Sequence, residues 1–122
     1  MVLNPDCIRY ILLTLEPLTS HAENIYIDYN NYVDYCGTYS KEEFFYHLEQ
    51  CVNFKYIYAK FSIEFFEIRD LTPKGHTFLS DIKLDNNWNK TKEIASKVGS
   101  FSLDTLGNIA TNVISNLISK NF

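Results

Sequence analysis

DYNNYVDYCGTYSKEEFFYHLEQCVNFKYIYAKFSIEFFEIRDL, residues 28–71, orders the elements of the fold. Asp28 is placed to cap a helix in which Tyr29, Tyr32, Val33 and Cys36 recur at i, i+3, i+4 and i+7, and Gly37 is a natural stop for it. Only Gly37, Thr38 and Tyr39 follow before Ser40 and Glu43 form a capping box, S-x-x-E, that starts another helix at Lys41. A connection this short between two helices is the turn of a helix-turn-helix. In the helix from Lys41, Phe44, His47, Leu48 and Cys51 share an inward face, while Glu42, Tyr46, Glu49, Gln50 and Asn53 share the outward one. Lys55–Phe61 and Phe65–Leu71, rich in aromatic and branched residues, read as the strands of a hairpin, although its connection at Ser62–Glu64 holds no Gly, Asn or Pro. Helix, turn, helix and hairpin make a helix-turn-helix with a short wing, a shape most often used to grip DNA.

The flanks extend this plan. Asn4 is a good N-cap, Pro5 suits the first helical position, and Ile8, Ile11, Leu12 and Leu15 form one apolar face that Pro17 closes. A short strand is expected near Asn24–Ile27. Thr72 and Pro73 open a helix carrying His76, Phe78, Leu79 and Ile82, and a further helix through Trp88, Ile94, Ala95 and Val98 ends at Gly99. In the last helix, about Leu103 to Ser119, the residues Leu103, Leu106, Ala110, Val113 and Leu117 keep a 3-4-3-4 spacing opposite a small, uncharged face. The predicted fold is α+β and mainly helical, with a winged-helix-like core over residues 1–84. A C-terminal helical extension over residues 85–122 is expected to pack on that core or on a second copy.

Charge opposes the DNA-binding shape. Net charge is −4, and residues 1–54 hold eight acids against Arg9 and Lys41. Phosphate contacts supply most of the affinity of a duplex-DNA binder, so this half repels a phosphate backbone. Residues 55–122 hold seven acids and nine bases, densest around Lys90, Lys92 and Lys97. Cys7, Cys36 and Cys51 are odd in number and form no CxxC pair, which reads as reduced thiols in a cytoplasmic protein without a signal peptide. The apolar runs fall far short of a membrane span.

No P-loop, GxGxxG turn, paired-carboxylate site or catalytic triad is present, so no catalytic residue is assigned and the chain reads as non-enzymatic. Cys36, His47 and Cys51 supply three metal-ligand types, but C-x10-H-x3-C is not a zinc signature and a fourth ligand is missing. They read as core residues, with no metal and no cofactor. Tyr26, Tyr29, Tyr32, Tyr35 and Tyr39 form a dense series, yet the interleaved charges are Asp28 and Asp34, which disfavours stacking on nucleic-acid bases. Tyr35 and Tyr46 instead suit a protein partner, because Tyr offers contact area at low entropic cost.

The run LTPKGHTFLSDI at 71–82, followed by WNKTKEIA at 88–95 and KVGSFSL at 97–103, resembles small proteins of phages and Gram-positive bacteria known as the domain of unknown function 2513 family. The opening LNPDCIR at 3–9 and YSKEE at 39–43 are similar to it as well. The resemblance implies a winged-helix-like fold and carries no catalytic or ligand residue with it. CVNFKYI at 51–57 departs from the glycine-containing step by which such proteins enter the sheet, and the wing loop is shortened.

Two functions follow as expectations. The first is a regulatory interaction module of phage or prophage origin, binding a protein through Glu42, Tyr46, Glu49, Gln50, Asn53 and Tyr35. The alternative is a DNA-binding regulator that sets Lys41, Lys55, Lys60, Lys90, Lys92 and Lys97 against the glutamates. Homodimer contacts are expected from Leu103, Leu106, Ala110, Val113 and Leu117, and no membrane contact is expected.

Overall fold

Asn4, Ser40 and Ser102 fix where three of the helices begin. The computed structural model describes residues Met1–Phe122, and in it each of these side chains accepts a backbone N–H of the first turn: Asn4 from Asp6, Ser40 from Glu43 and Ser102 from Thr105. The helices are α1 (Pro5–Leu15), α2 (Lys41–Asn53), α3 (Pro73–Ile82), α4 (Asp85–Val98) and α5 (Leu103–Asn121), and the strands are β1 (Ile25–Asp28), β2 (Ile57–Phe61) and β3 (Phe65–Leu71). The fold is thus α+β and mainly helical. The chain forms two compact units, Met1–His76 and Thr77–Phe122, whose boundary falls inside the α3 sequence. No helix is long and apolar enough to cross a membrane.

In the first unit β3 is the central strand of an antiparallel sheet in the order β1-β3-β2. Ile27 pairs with Phe66, Ala59 with Ile68, and Ile57 with Leu71. Between the last two pairs the register shifts, because Tyr58 faces Asp70 while Ala59 already faces Ile68, which leaves Arg69 as an extra residue in β3. This bulge returns Leu71 to the buried side already occupied by Phe66 and Ile68, and it explains the imperfect alternation of the strand. α1 packs on α2 and on β3, and α2 packs on β2. Cys7, Ile8, Ile11, Leu12 and Leu15 from α1 and Phe44, Leu48 and Cys51 from α2 are buried.

His47 is buried among them, as its place on the inward face of the helix requires. Its Nε2 accepts the Asn4 backbone N–H at 2.7 Å, so Nδ1 carries the proton and donates to the Glu43 carbonyl at 2.6 Å. One neutral ring therefore joins the start of α1 to α2.

The helix expected from Asp28 to Cys36 does not form; only a 3-10 turn, Tyr32–Asp34, occurs there. Asp28 and Asn31 bond one another instead. The Asp28 carboxylate accepts the Asn30 and Asn31 N–H groups, and the Asn31 amide oxygen accepts the Asp28 N–H. Such local side-chain bonds compete directly with helix propagation. Val33, expected inside, is 62% exposed, whereas Cys36 is buried. The segment before α2 is therefore not the first α-helix of a helix-turn-helix.

The exit from α2 is a Schellman motif, in which Tyr56 N–H reaches Cys51 O and Lys55 N–H reaches Val52 O. That motif sets its penultimate residue in the left-handed region, here Lys55 at φ 66° rather than a glycine. The segment that follows β3 then grips the same junction. Thr72 Oγ1 donates to Lys55 O, Thr72 N–H to Tyr56 O, and Lys74 Nζ to Phe54 O. Thr72 Oγ1 also accepts the Gly75 N–H. A Cβ on Gly75 would stand 2.0 Å from Tyr56 O, so no other residue fits there unmoved.

In the second unit α4 packs on α5. Gly99, at φ 85°, ends α4 as a left-handed cap. Trp88, Thr91 and Ala95 of α4 are buried, as are Leu103, Leu106, Ile109, Ala110 and Val113 of α5. Four of the five residues expected to hold a second copy are thus covered within the single chain. Leu117 and Ile118 near the end of α5 are exposed.

Two substitutions test the α2 exit in urea unfolding. Lys55→Gly should stabilise the chain by about 0.5–1 kcal/mol, the left-handed strain removed being partly offset by a more disordered unfolded state. Gly75→Ala should destabilise it by about 2 kcal/mol or more, because the clash is with backbone rather than with a movable side chain.

Candidate functional site

Aromatic rings from three segments of the first unit converge beside the hairpin. Phe45 on α2 stacks on Phe66 of β3 with centroids 5.9 Å apart, and Phe66 stacks on Phe61 of β2 at 5.2 Å. Tyr29 and Tyr32, from the segment before α2, also contact Phe45, Tyr29 edge-on at 5.1 Å and Tyr32 tilted at 5.7 Å. Phe61 and Phe66 pair directly across the sheet, so their rings share a face by register alone. Phe45 falls between the two helical faces and so carries no periodic signal, and the meeting of Phe61 with Phe66 is set by the turn that Ser62 N–H closes onto Phe65 O.

The hairpin tip rises beyond these rings. Ser62 N–H donates to Phe65 O across the turn, and Ile63 at its apex is 90% exposed. A cleft of about 530 Å³ lies on the α2 side of the tip, lined by Tyr29, Phe45, Tyr46, Glu49 and residues 61–66. On the other side lies one of about 550 Å³, lined by Tyr26, Asp28, Tyr29, Asn30, Ile63, Glu64 and Phe65. The ionisable groups on these walls are Tyr residues and the carboxylates Asp28, Glu49 and Glu64, with no Lys or Arg. Lys41 stands nearby, its Nζ 3.9 Å from the centre of the Tyr29 ring.

Of the residues expected to bind a partner, Tyr46 and Glu49 line the α2-side cleft, and Tyr46 packs edge-on against His47 with centroids 5.0 Å apart. Glu42 and Asn53 are exposed on α2 and Gln50 is half-buried, outside the walls of either cleft. Tyr35 is half-buried and ends the 3-10 turn. Lys55 and Lys60 are exposed at the ends of the β2 segment, and Lys55 shares a separate cleft with Lys74. Lys90, Lys92 and Lys97 belong to α4, where Lys97 pairs with Glu93 at 3.3 Å and Lys92 lies over the Trp88 ring.

Titrating groups elsewhere are displaced chiefly by burial. Desolvation, with a smaller contribution from Glu43, pushes the Cys7 thiol from 9.0 up to about 12. The Cys51 thiol is also pushed up, by its own burial and then by the proximity of Cys7. The Tyr39 phenol and the Asp81 carboxyl are raised mainly by desolvation too. His76 bridges Glu16 at 3.8 Å and Asp70 at 3.4 Å on the surface, and Asp70 also accepts from the Thr19 hydroxyl. No group of three His, Cys, Asp or Glu side chains is placed to hold a metal ion.

The buried thiols make stability pH-dependent with a definite sign. A folded state that holds its thiols protonated is fully favoured below 9.0, and loses that advantage as pH rises toward about 12. Between pH 9.0 and 10.0, before the raised Tyr39 adds its own loss, unfolding free energy should fall by about 1 kcal/mol for each of Cys7 and Cys51, as the unfolded thiols ionise and the folded ones do not. Cys51→Ala should make that slope shallower in chemical denaturation.

A model of the family described as "Hypothetical protein (DUF2513)" matches residues 2–102. No curated protein and no solved structure matches the chain.

Proposed function

The chain belongs to the DUF2513 family, and from the surface around its hairpin tip we propose that it is a non-catalytic regulatory module that binds a protein partner. The observation that carries this is the joining of aromatic surface to carboxylates: exposed Tyr29, Phe61 and Phe65 and half-buried Tyr46 line one cleft with Glu49 and Glu64. Aromatic anchors ringed by charge of one sign are the composition of a protein interface rather than of a phosphate-binding one. The mechanism is occlusion, in which the acidic face of α2 covers a basic site on the partner.

A winged-helix-like ancestry fits the order α1, β1, α2, β2, β3, with α2 in the position of the reader helix and the hairpin in that of the wing. It keeps a second reading in view, that of a DNA-binding regulator. Lys55, Lys60, Arg69 and Lys74 are exposed on the β2 and β3 side of the first unit and supply the observation in its favour. Against it, Glu42, Glu43 and Glu49 lie on α2, whose only base is Lys41.

Titration against random and genomic duplex DNA separates the two. The interaction module should show no binding even at low salt. Tight binding that weakens steeply with added salt would establish the regulator instead. In parallel, a photo-crosslinker at position 46 should join the chain to one defined protein in cells, and the same group placed on α1 at Arg9 should not.

A further inference from the structure

The two clefts share one partition. Ile63, Glu64 and Phe65 line both, so whatever seats in one cleft stands across the hairpin tip from whatever seats in the other. On the α2 side the apolar walls are Phe45, Phe61 and Phe66, and on the far side Tyr26 and Phe65, whose rings lie 6.4 Å apart. Each volume is large enough for one aromatic or branched side chain together with adjoining backbone. Each rim carries carboxylates, Glu49 with Glu64 on one side and Asp28 with Glu64 on the other. Tyr29 borders both clefts and already receives an ammonium group on its ring face from Lys41.

We propose that the clefts are paired sockets, straddling the hairpin tip, for a basic segment of the partner protein that carries two large apolar anchors. This rests on the interaction module proposed above and specifies its ligand. The apolar walls call for the anchors, while the carboxylate rims call for Lys or Arg between and beside them. A phosphate-bearing ligand, including an anionic lipid surface, meets three carboxylates at the same rims and is disfavoured. Two anchors on one chain bind jointly more tightly than either alone, because seating the first raises the effective concentration of the second.

The test uses the full chain and labelled synthetic peptides. The first peptide carries two Phe residues separated by a flexible spacer of alternating Gly and Lys. A second replaces each Lys by Glu, and a third replaces both Phe by Ala. Fluorescence anisotropy should give an affinity for the first at least about tenfold above either of the others. Amide shifts on binding should appear at both Tyr46 and Tyr26. Ile63→Ser, an uncharged loss of the apolar partition at a position exposed enough to leave the fold intact by circular dichroism, should weaken the first peptide about tenfold or more. Glu49→Lys should weaken it while leaving the Tyr26 shift in place.

Equal binding of the Lys and Glu peptides, equal binding of the Phe and Ala peptides, or shifts confined to one cleft would overturn the proposal. So would absence of binding by the first peptide, or tighter association of the chain with phosphatidylserine vesicles through Ile63. If the peptides fail but the crosslinker at position 46 still captures a defined protein, the paired sockets are wrong and the interaction module stands. If the crosslinker fails while the first peptide binds as described, the sockets stand and their occupant lies outside the tested cells.

Discussion

Three successive carbonyls, those of Phe54, Lys55 and Tyr56, are each claimed by a donor from Thr72 or Lys74. Much of the first unit depends on that grip. The Schellman bonds close the last carbonyls of α2 itself, and the segment following the hairpin supplies donors to the three carbonyls that come next, from the cap residue Phe54 onward. The exit direction of α2 and the entry of β2 are thereby fixed together. Gly75 permits the approach, because any side chain there would strike the Tyr56 carbonyl. Lys74 seals it from outside by lying over the Phe54 ring at 3.6 Å. Since α2 and the hairpin form opposite walls of the aromatic cleft, this junction also sets the width of the proposed binding surface.

The local signals in the sequence were strong where one residue type had one job. Asn4, Ser40 and Gly99 cap helices as their chemistry requires, and the periodic faces of α1 and α2 are buried as spaced. Between Asp28 and Cys36 the apolar periodicity indicates a helix, whereas the reciprocal Asp28–Asn31 bonds favour a turn. Periodicity counts which residues are apolar but is blind to side chains that satisfy the backbone locally. The hairpin was legible from composition. The extra residue in β3 was not, since a bulge announces itself only through the partner strand.

The candidate surface was half visible for a similar reason. Tyr46 and Glu49 follow from the outward face of one helix. Phe61, Ile63 and Phe66 join them only because tertiary packing folds the hairpin beside that helix. The acid in the first half of the chain had already spoken against a phosphate ligand, and the structure locates part of it, at Asp28 and Glu49, on the walls of aromatic clefts. In the second unit the stripe on α5 was correctly seen as apolar, but burial of Leu103, Leu106, Ala110 and Val113 within the chain leaves much less of it for a second copy.

The extra residue at Arg69 has a consequence for how this chain can vary in length. Across that interval β3 is one residue longer than its β2 partner, and Leu71 beyond it faces inward. Deleting Arg69 would leave Ile68, Asp70 and Leu71 in plain inward, outward, inward alternation, with Asp70 still opposite Tyr58 and Ile68 opposite Ala59. Replacing Arg69 by another residue leaves that phase unchanged. The bulge therefore makes this point of β3 tolerant of length as well as of identity: a chain with or without the extra residue keeps Ile68 and Leu71 on the core side.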